Sequence, residues 1–207
     1  MESLAISPGT LASLVIALSF AAGLNVYATV CALGVMARMH WVVLPGELGA
    51  LAHGWVIGVS GVLFAVEIFA DKVPSFDVIW NALHTFVRIP AAALLAYAAG
   101  SHLSPEMHLL VTCVGAAVAV IAHGSKTAAR IAVTPSPEPV SNIALSAAED
   151  GLALGLTWVA THHPLVGGGV AAAMCVAGIA AVWWGWRVVR RGVGRMWRGE
   201  SGSTLTR

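Results

Sequence analysis

The chain has 207 residues, 58% of them hydrophobic and 10% charged, with a formal net charge of +1 and a mean hydropathy of +0.83. Soluble domains carry roughly 25% charged residues, and a soluble core of this size could not bury so much apolar surface. Composition therefore excludes an ordinary soluble domain, gives no sign of a nucleic-acid partner, and points to an all-α integral membrane protein whose first partner is the lipid bilayer.

Six apolar spans are predicted, at residues 10–36, 48–70, 76–100, 107–122, 142–160 and 166–189. Each approaches or exceeds the ~20 residues needed to cross a hydrocarbon core. Proline and glycine punctuate the joins, at Pro45-Gly46, Pro74, Pro105, the Thr134–Pro139 loop and Pro164. No Lys or Arg precedes the first span, so it is expected to be retained and not cleaved as a signal peptide. Within it Ser13, Ala17, Ala21, Asn25 and Thr29 recur every fourth residue. Small residues let helices approach closely, and Asn25 places a four-bond amide at mid-span, either as interhelical glue or as the lining of a polar path.

The second span ends on Glu67, Asp71 and Lys72, with the acids sharing a face at i, i+4. In the third, Asp77, Asn81, His84 and Arg88 fall on one helical face, and Pro90 follows. Segment 74–100 is then either one helix kinked at Pro90, or an interfacial or re-entrant stretch over 74–88 before a short span. If the helix is continuous, Arg88 lies near its middle and needs a carboxylate, for which Glu149 and Asp150 are the candidates. The fourth span presents His123, Lys126 and Arg130 on one face at its inner end. Facing Glu67 and Asp71, these bases form an expected cytoplasmic ionic layer with Lys72, Asp77 and Asn81, acting as a clasp or as a gate.

Glu149 and Asp150 are adjacent acids near the centre of the fifth span. An ionised acid at mid-membrane costs about 2.5–3.5 kcal/mol on insertion scales, so the pair requires a partner, water or a proton. His162-His163 is expected in an outer loop. In the last span Gly169, Ala173, Ala177, Ala181 and Gly185 repeat every fourth position, as a packing face within the chain or between subunits. Trp183, Trp184 and Trp186 then suit a membrane interface, and Arg187, Arg190, Arg191, Arg195 and Arg198 suit an anchor or an anionic-lipid contact.

Cys31, Cys113 and Cys175 are isolated, without metal-ligand spacing or a disulfide framework. No metalloprotease helix motif or paired-cysteine motif occurs, and Lys72, Arg88, Lys126 and Arg130 would oppose a cation. Neither a metal nor a cofactor is expected. Lys72, Lys126, Arg130 and the C-terminal arginines share one side of the six-span topology and Arg38 lies on the other, which makes both termini cytoplasmic. Residues 1–190 read as a single polytopic domain and 191–207 as a basic cytoplasmic tail. A faint echo between residues 23–28 and 124–129 raises a 3+3 inverted repeat, a transporter habit.

Three stretches carry a resemblance: Glu67 through Thr85; His123-Gly-Ser-Lys126; and Pro137-Glu-Pro-Val-Ser-Asn142 followed by Glu149-Asp150. Together they resemble a family of small bacterial multi-span membrane proteins catalogued as domain of unknown function 4126, over most of the chain from Gly23 to about Ala160. The resemblance implies a polytopic inner-membrane protein and assigns no catalytic residues.

The expected function is a small secondary transporter or channel for an ion or small polar solute. Its site would be Glu149 and Asp150, with Arg88 as countercharge and Asn25 and His84 beside them. The alternatives are a structural or partner-binding membrane protein, a homodimer among the options, or an enzyme acting on lipid headgroups through an acid such as Asp77 or Asp150 and His84.

Overall fold

A computed structural model of the protein describes residues 6–70, 74–133 and 139–203, with side chains except at 74–82, 131–133, 139–142, 188–189 and 191–203. Among the described residues all regular structure is helical: α1 (Pro8–Leu24), α2 (Val26–Arg38), a 3-10 segment (Gly46–Ala52), α3 (Gly54–Ala70), α4 (Pro74–Ala99), α5 (Pro105–Val133), α6 (Pro139–His162) and α7 (Pro164–Ser203).

The expected span over 10–36 is two helices. Ser7 starts α1 by accepting from Thr10 N at 3.2 Å, with Pro8 in the first turn, where a missing N–H costs nothing. At Asn25 the backbone turns extended (φ −148°, ψ 101°), and the Asn25 side chain caps α2 by accepting from Ala28 N at 2.9 Å. Asparagine is among the strongest N-caps. Here the cap restarts a helix inside an unbroken apolar run.

α1 is apolar on every side and becomes the centre of the bundle, packed by α4, α5, α6 and α7. Close approach makes this possible. A Cβ on Gly23 would meet Ala122 Cβ of α5 at 2.7 Å, and one on Gly168 of α7 would meet Ser13 Cβ at 2.5 Å. Ala17, Ala21, Asn25 and Thr29 of the expected small-residue stripe are all buried.

The expected span over 48–70 is also corrected. Residues 46–52 form the 3-10 segment, bent by 74° from α3. Gly46 sits at φ +58° with its α-carbon against the backbone carbonyls of Ala98 and Ala99, where a side chain would clash and a left-handed backbone suits glycine. α3 packs chiefly on α2 and buries only Ser60, Glu67 and Ala70.

α4 is one helix from Pro74 to Ala99 with Pro90 inside it, so the backbone is not broken over 74–88. α5 runs to Val133, well past the expected end at 122, because its polar inner face is buried and has partners. α6 and α7 are joined through His163 alone, so the expected outer loop is one residue; His162 ends α6 stacked on Trp158. α7 continues helical across residue 190 to Ser203.

In α7 the buried positions are Gly167, Gly168, Ala171, Cys175 and Gly178, whereas Gly169, Ala173, Ala177 and Ala181 are exposed. The expected small stripe is thus not the internal packing face. Three segments are long and apolar enough to cross a membrane, Pro105–Arg130, Ile143–His162 and Pro164–Arg187, and the bent pair around His53 makes a fourth if it is one broken span. Length and composition of the described residues do not reach the expected six.

Candidate functional site: a buried ionic network at a helix break

α1 ends at Leu24 with a carbonyl that a continuous helix would have satisfied. Lys126 of α5 reaches it, Nζ to Leu24 O at 3.2 Å, because Gly23 lets α5 cross directly against the break. Lysine has three donors on one nitrogen. Lys126 Nζ also lies 3.1 Å from Glu149 Oε2 and 3.7 Å from Glu67 Oε1. It is therefore the bridge between two carboxylates from different helices.

Each carboxylate has a second base. Arg88 Nη2 donates to Glu67 Oε1, and both side chains are 0% exposed. Arg130, one turn beyond Lys126 on the same face of α5, donates from Nη2 to Glu149 Oε2 at 2.8 Å. The order across the bundle is Arg88, Glu67, Lys126, Glu149, Arg130, with charges alternating along the chain of contacts. Charges this deep in a protein are stable only when paired, and each carboxylate here has two cationic neighbours.

Asp150 turns from Glu149 toward the break and accepts from Asn25 Nδ2 at 2.8 Å. Asn25 thus uses its oxygen to cap α2 and its nitrogen to hold α6. On the other flank, Arg88 Nη1 lies 3.3 Å from His123 Nδ1. Arginine only donates, so Nδ1 accepts, and the neutral ring carries its hydrogen on Nε2, donating to Thr85 Oγ1 at 2.7 Å. Tyr27, in the first turn of α2, bonds His84 Nε2 through its hydroxyl at 2.9 Å.

The structure therefore joins two groups that residue counting had separated. Asn25, His84, Arg88, Glu149 and Asp150 lie with Glu67, His123, Lys126 and Arg130 in one network at the α1–α2 break. The carboxylate it sets on Arg88 is Glu67 of α3, not the expected Glu149 or Asp150. Glu149 and Asp150 lie ten and eleven residues from the start of α6 (Pro139–His162), at the middle of that helix. Asp71 and Lys72 lie outside the described residues, as do the side chains of Asp77 and Asn81.

Tyr27, Thr85 and the Leu24 carbonyl were missed by sequence reasoning. Tyr27 falls on another face only if α1 and α2 are one helix; an N-cap residue at position 25 was the signal that they are not. Thr85 sits three residues before Arg88, on its face. Among the described residues no three His, Cys, Asp or Glu gather as metal ligands, since Arg88, Lys126 and Arg130 occupy the carboxylates that would.

No curated protein and no solved structure matches the chain. The model of a family described as a domain of unknown function (DUF4126) matches residues 12–184, a range that includes every residue of the network. The chain belongs to that family.

Proposed function

We propose that the chain is a small secondary transporter or channel of the bacterial inner membrane, passing an ion or small polar solute at the α1–α2 break. In this reading the membrane is crossed six times, by α1 with α2, the 3-10 segment with α3, and α4, α5, α6 and α7. Both termini are cytoplasmic, with the C-terminal arginines inside and Arg38 outside. The tail carries the anionic-lipid contact.

One observation carries the reading: a discontinuous helix whose broken end is held by a buried lysine that also bridges two carboxylates. Broken helices expose backbone groups only where these line a cavity or meet protein, and intramembrane ionisable residues mark solute and proton paths. The mechanism is exchange of partners. A cation or proton arriving at Glu149 or Asp150 competes with Lys126, Arg130 and Asn25, and Lys126 shifts toward Glu67. Glu67 is the latch that ties α3, otherwise little buried, to the bundle. That shift tightens the latch, and return of Lys126 to Glu149 loosens it and gives α3 freedom to gate.

The test is flux in sealed proteoliposomes, screening protons, sodium, potassium, magnesium and phosphate, with wild type against Glu149→Gln/Asp150→Asn. Loss of flux in a folded double variant supports the proposal; unchanged flux defeats it. The matching of bases to acids favours one second reading, a structural or partner-binding role in which the network serves assembly. That role requires no flux for any screened solute, and a folded complex after Arg88, Glu149 and Asp150 are all made apolar.

A further inference from the structure

α2 leaves the break and runs ten residues from Ala28 to Arg38, roughly 15 Å, half the ~30 Å thickness of a hydrocarbon core. Over that length it forms the floor of a groove of about 480 Å³. Ala28, Cys31, Ala32, Val35 and Met36 make the floor, Phe64 of α3 one wall, and Leu154, Gly155 and Trp158 of α6 the other. Trp41 closes the far end. The lining is almost wholly apolar, and the helices on either side carry exposed apolar side chains, Val59, Val62 and Phe69 on α3 and Leu152 and Leu154 on α6.

Such a groove has nothing with which to orient a polar ligand. One water occupies about 30 Å³ of liquid and a methylene is of similar size, so the volume holds on the order of 16 such groups, about one fatty chain. Arg38, two residues beyond the lining residue Met36 and three before the lining residue Trp41, supplies a complementary charge. It lies one turn beyond Val35 on the same side of α2, is exposed, and uses Nη1 on the Ala52 carbonyl at 3.3 Å. A guanidinium has five N–H donors, and the others suit a phosphodiester.

We infer that this groove is a binding site for a phospholipid, with one acyl chain between α3 and α6 and its phosphate on Arg38. The chain end then reaches Ala28, one turn from Asn25, and Leu154, one turn from Asp150. The lipid fills the gap between the α3 wall and the α6 wall. It does not depend on the transport reading.

Native mass spectrometry of the protein in mild detergent tests the site, with dioleoyl phosphatidylcholine and dioleoylglycerol as probes. Wild type should retain one phosphatidylcholine per chain. Gly155→Leu and Ala32→Phe, which fill the groove, should lower that occupancy at least fivefold while the melting temperature in detergent holds. Arg38→Gln should weaken phosphatidylcholine and leave dioleoylglycerol unchanged. Ile179→Phe, on the exposed face of α7, should change nothing. If a groove-filling variant unfolds, brominated phosphatidylcholine on wild type replaces it: stronger quenching of Trp158 in a single-tryptophan chain than of Trp184 in another supports the site. Equal occupancy in wild type and folded groove-filled variants, equal quenching, or a wild-type dimer that closes the groove without lipid overturns it.

Discussion

Asn25 is the residue on which the break depends, and its two bonds can be separated. Asn25→Ala removes the cap on α2 and the donor to Asp150 together. Loss of an N-cap costs about 1 kcal/mol. Interhelical side-chain bonds in membranes average about 0.6 kcal/mol and reach about 1.7. The Asn25–Asp150 bond belongs at the upper end, because Asn25 is 0% exposed and bonds to charged groups are the stronger kind. The expected loss is therefore about 2–3 kcal/mol. Asn25→Ser keeps a capping oxygen but cannot span to Asp150, so it should lose only about 1–2 kcal/mol. Unfolding by titrated SDS in mixed micelles reads both values, and a double-mutant cycle of Asn25→Ser with Asp150→Ala isolates the pair. A loss under about 0.5 kcal/mol for Asn25→Ala would refute the reasoning, since neither bond would then hold the break. So would equal losses for Ala and Ser with no coupling to Asp150.

Two further outcomes follow from the packing and the charges. Glu67→Gln should destabilise by about 3–5 kcal/mol, as loss of one member of a buried pair does, and Glu67→Leu/Arg88→Met should recover at least half of it in the same assay; a double variant no better than the single would count against the pairing. Gly168→Ala forces a Cβ onto Ser13 and should cost about 1–3 kcal/mol. Gly169→Ala, with nothing within 4 Å of its Cβ, should instead gain about 0.5–1 kcal/mol from helix propensity; similar melting points for the two would deny the close α1–α7 contact.

The helical class, three of the apolar spans and several charged residues of the buried network were legible, because lipid imposes a composition that ordinary folding does not. Arg88, Glu149, Lys126 and Arg130 stand out in an apolar chain whatever their partners. Their partners were not legible. Counting along each helix yields depth but no lateral position, so Glu67 on α3 could not be set beside Arg88 on α4. The break at Asn25 was hidden for another reason: apolarity runs straight through it, with no proline, and only the capping habit of asparagine marks it. The 74° bend before α3 likewise shortens the straight helix available to that span to Gly54–Ala70, roughly 25 Å. In α7 the alanine-rich composition offered several small-residue stripes, and the buried one follows the 168, 171, 175, 178 spacing of helix packing.

α1 leads two lives during synthesis. It emerges from the ribosome before α4, α5, α6 and α7, the helices that finally enclose it. Until they arrive, every side of it must tolerate lipid; afterwards every side must fit protein. Its lack of any polar face answers the first need, and its alanines, serines and glycine answer the second. The capped break at its end lets Asn25 and the Leu24 carbonyl wait for Asp150 and Lys126, which are translated more than a hundred residues later. Assembly of the network is thus the step that converts an uncovered hydrophobic helix into the sequestered axis of the bundle. A chain shortened before α6 would leave that axis facing lipid on the side where Glu149 and Asp150 belong.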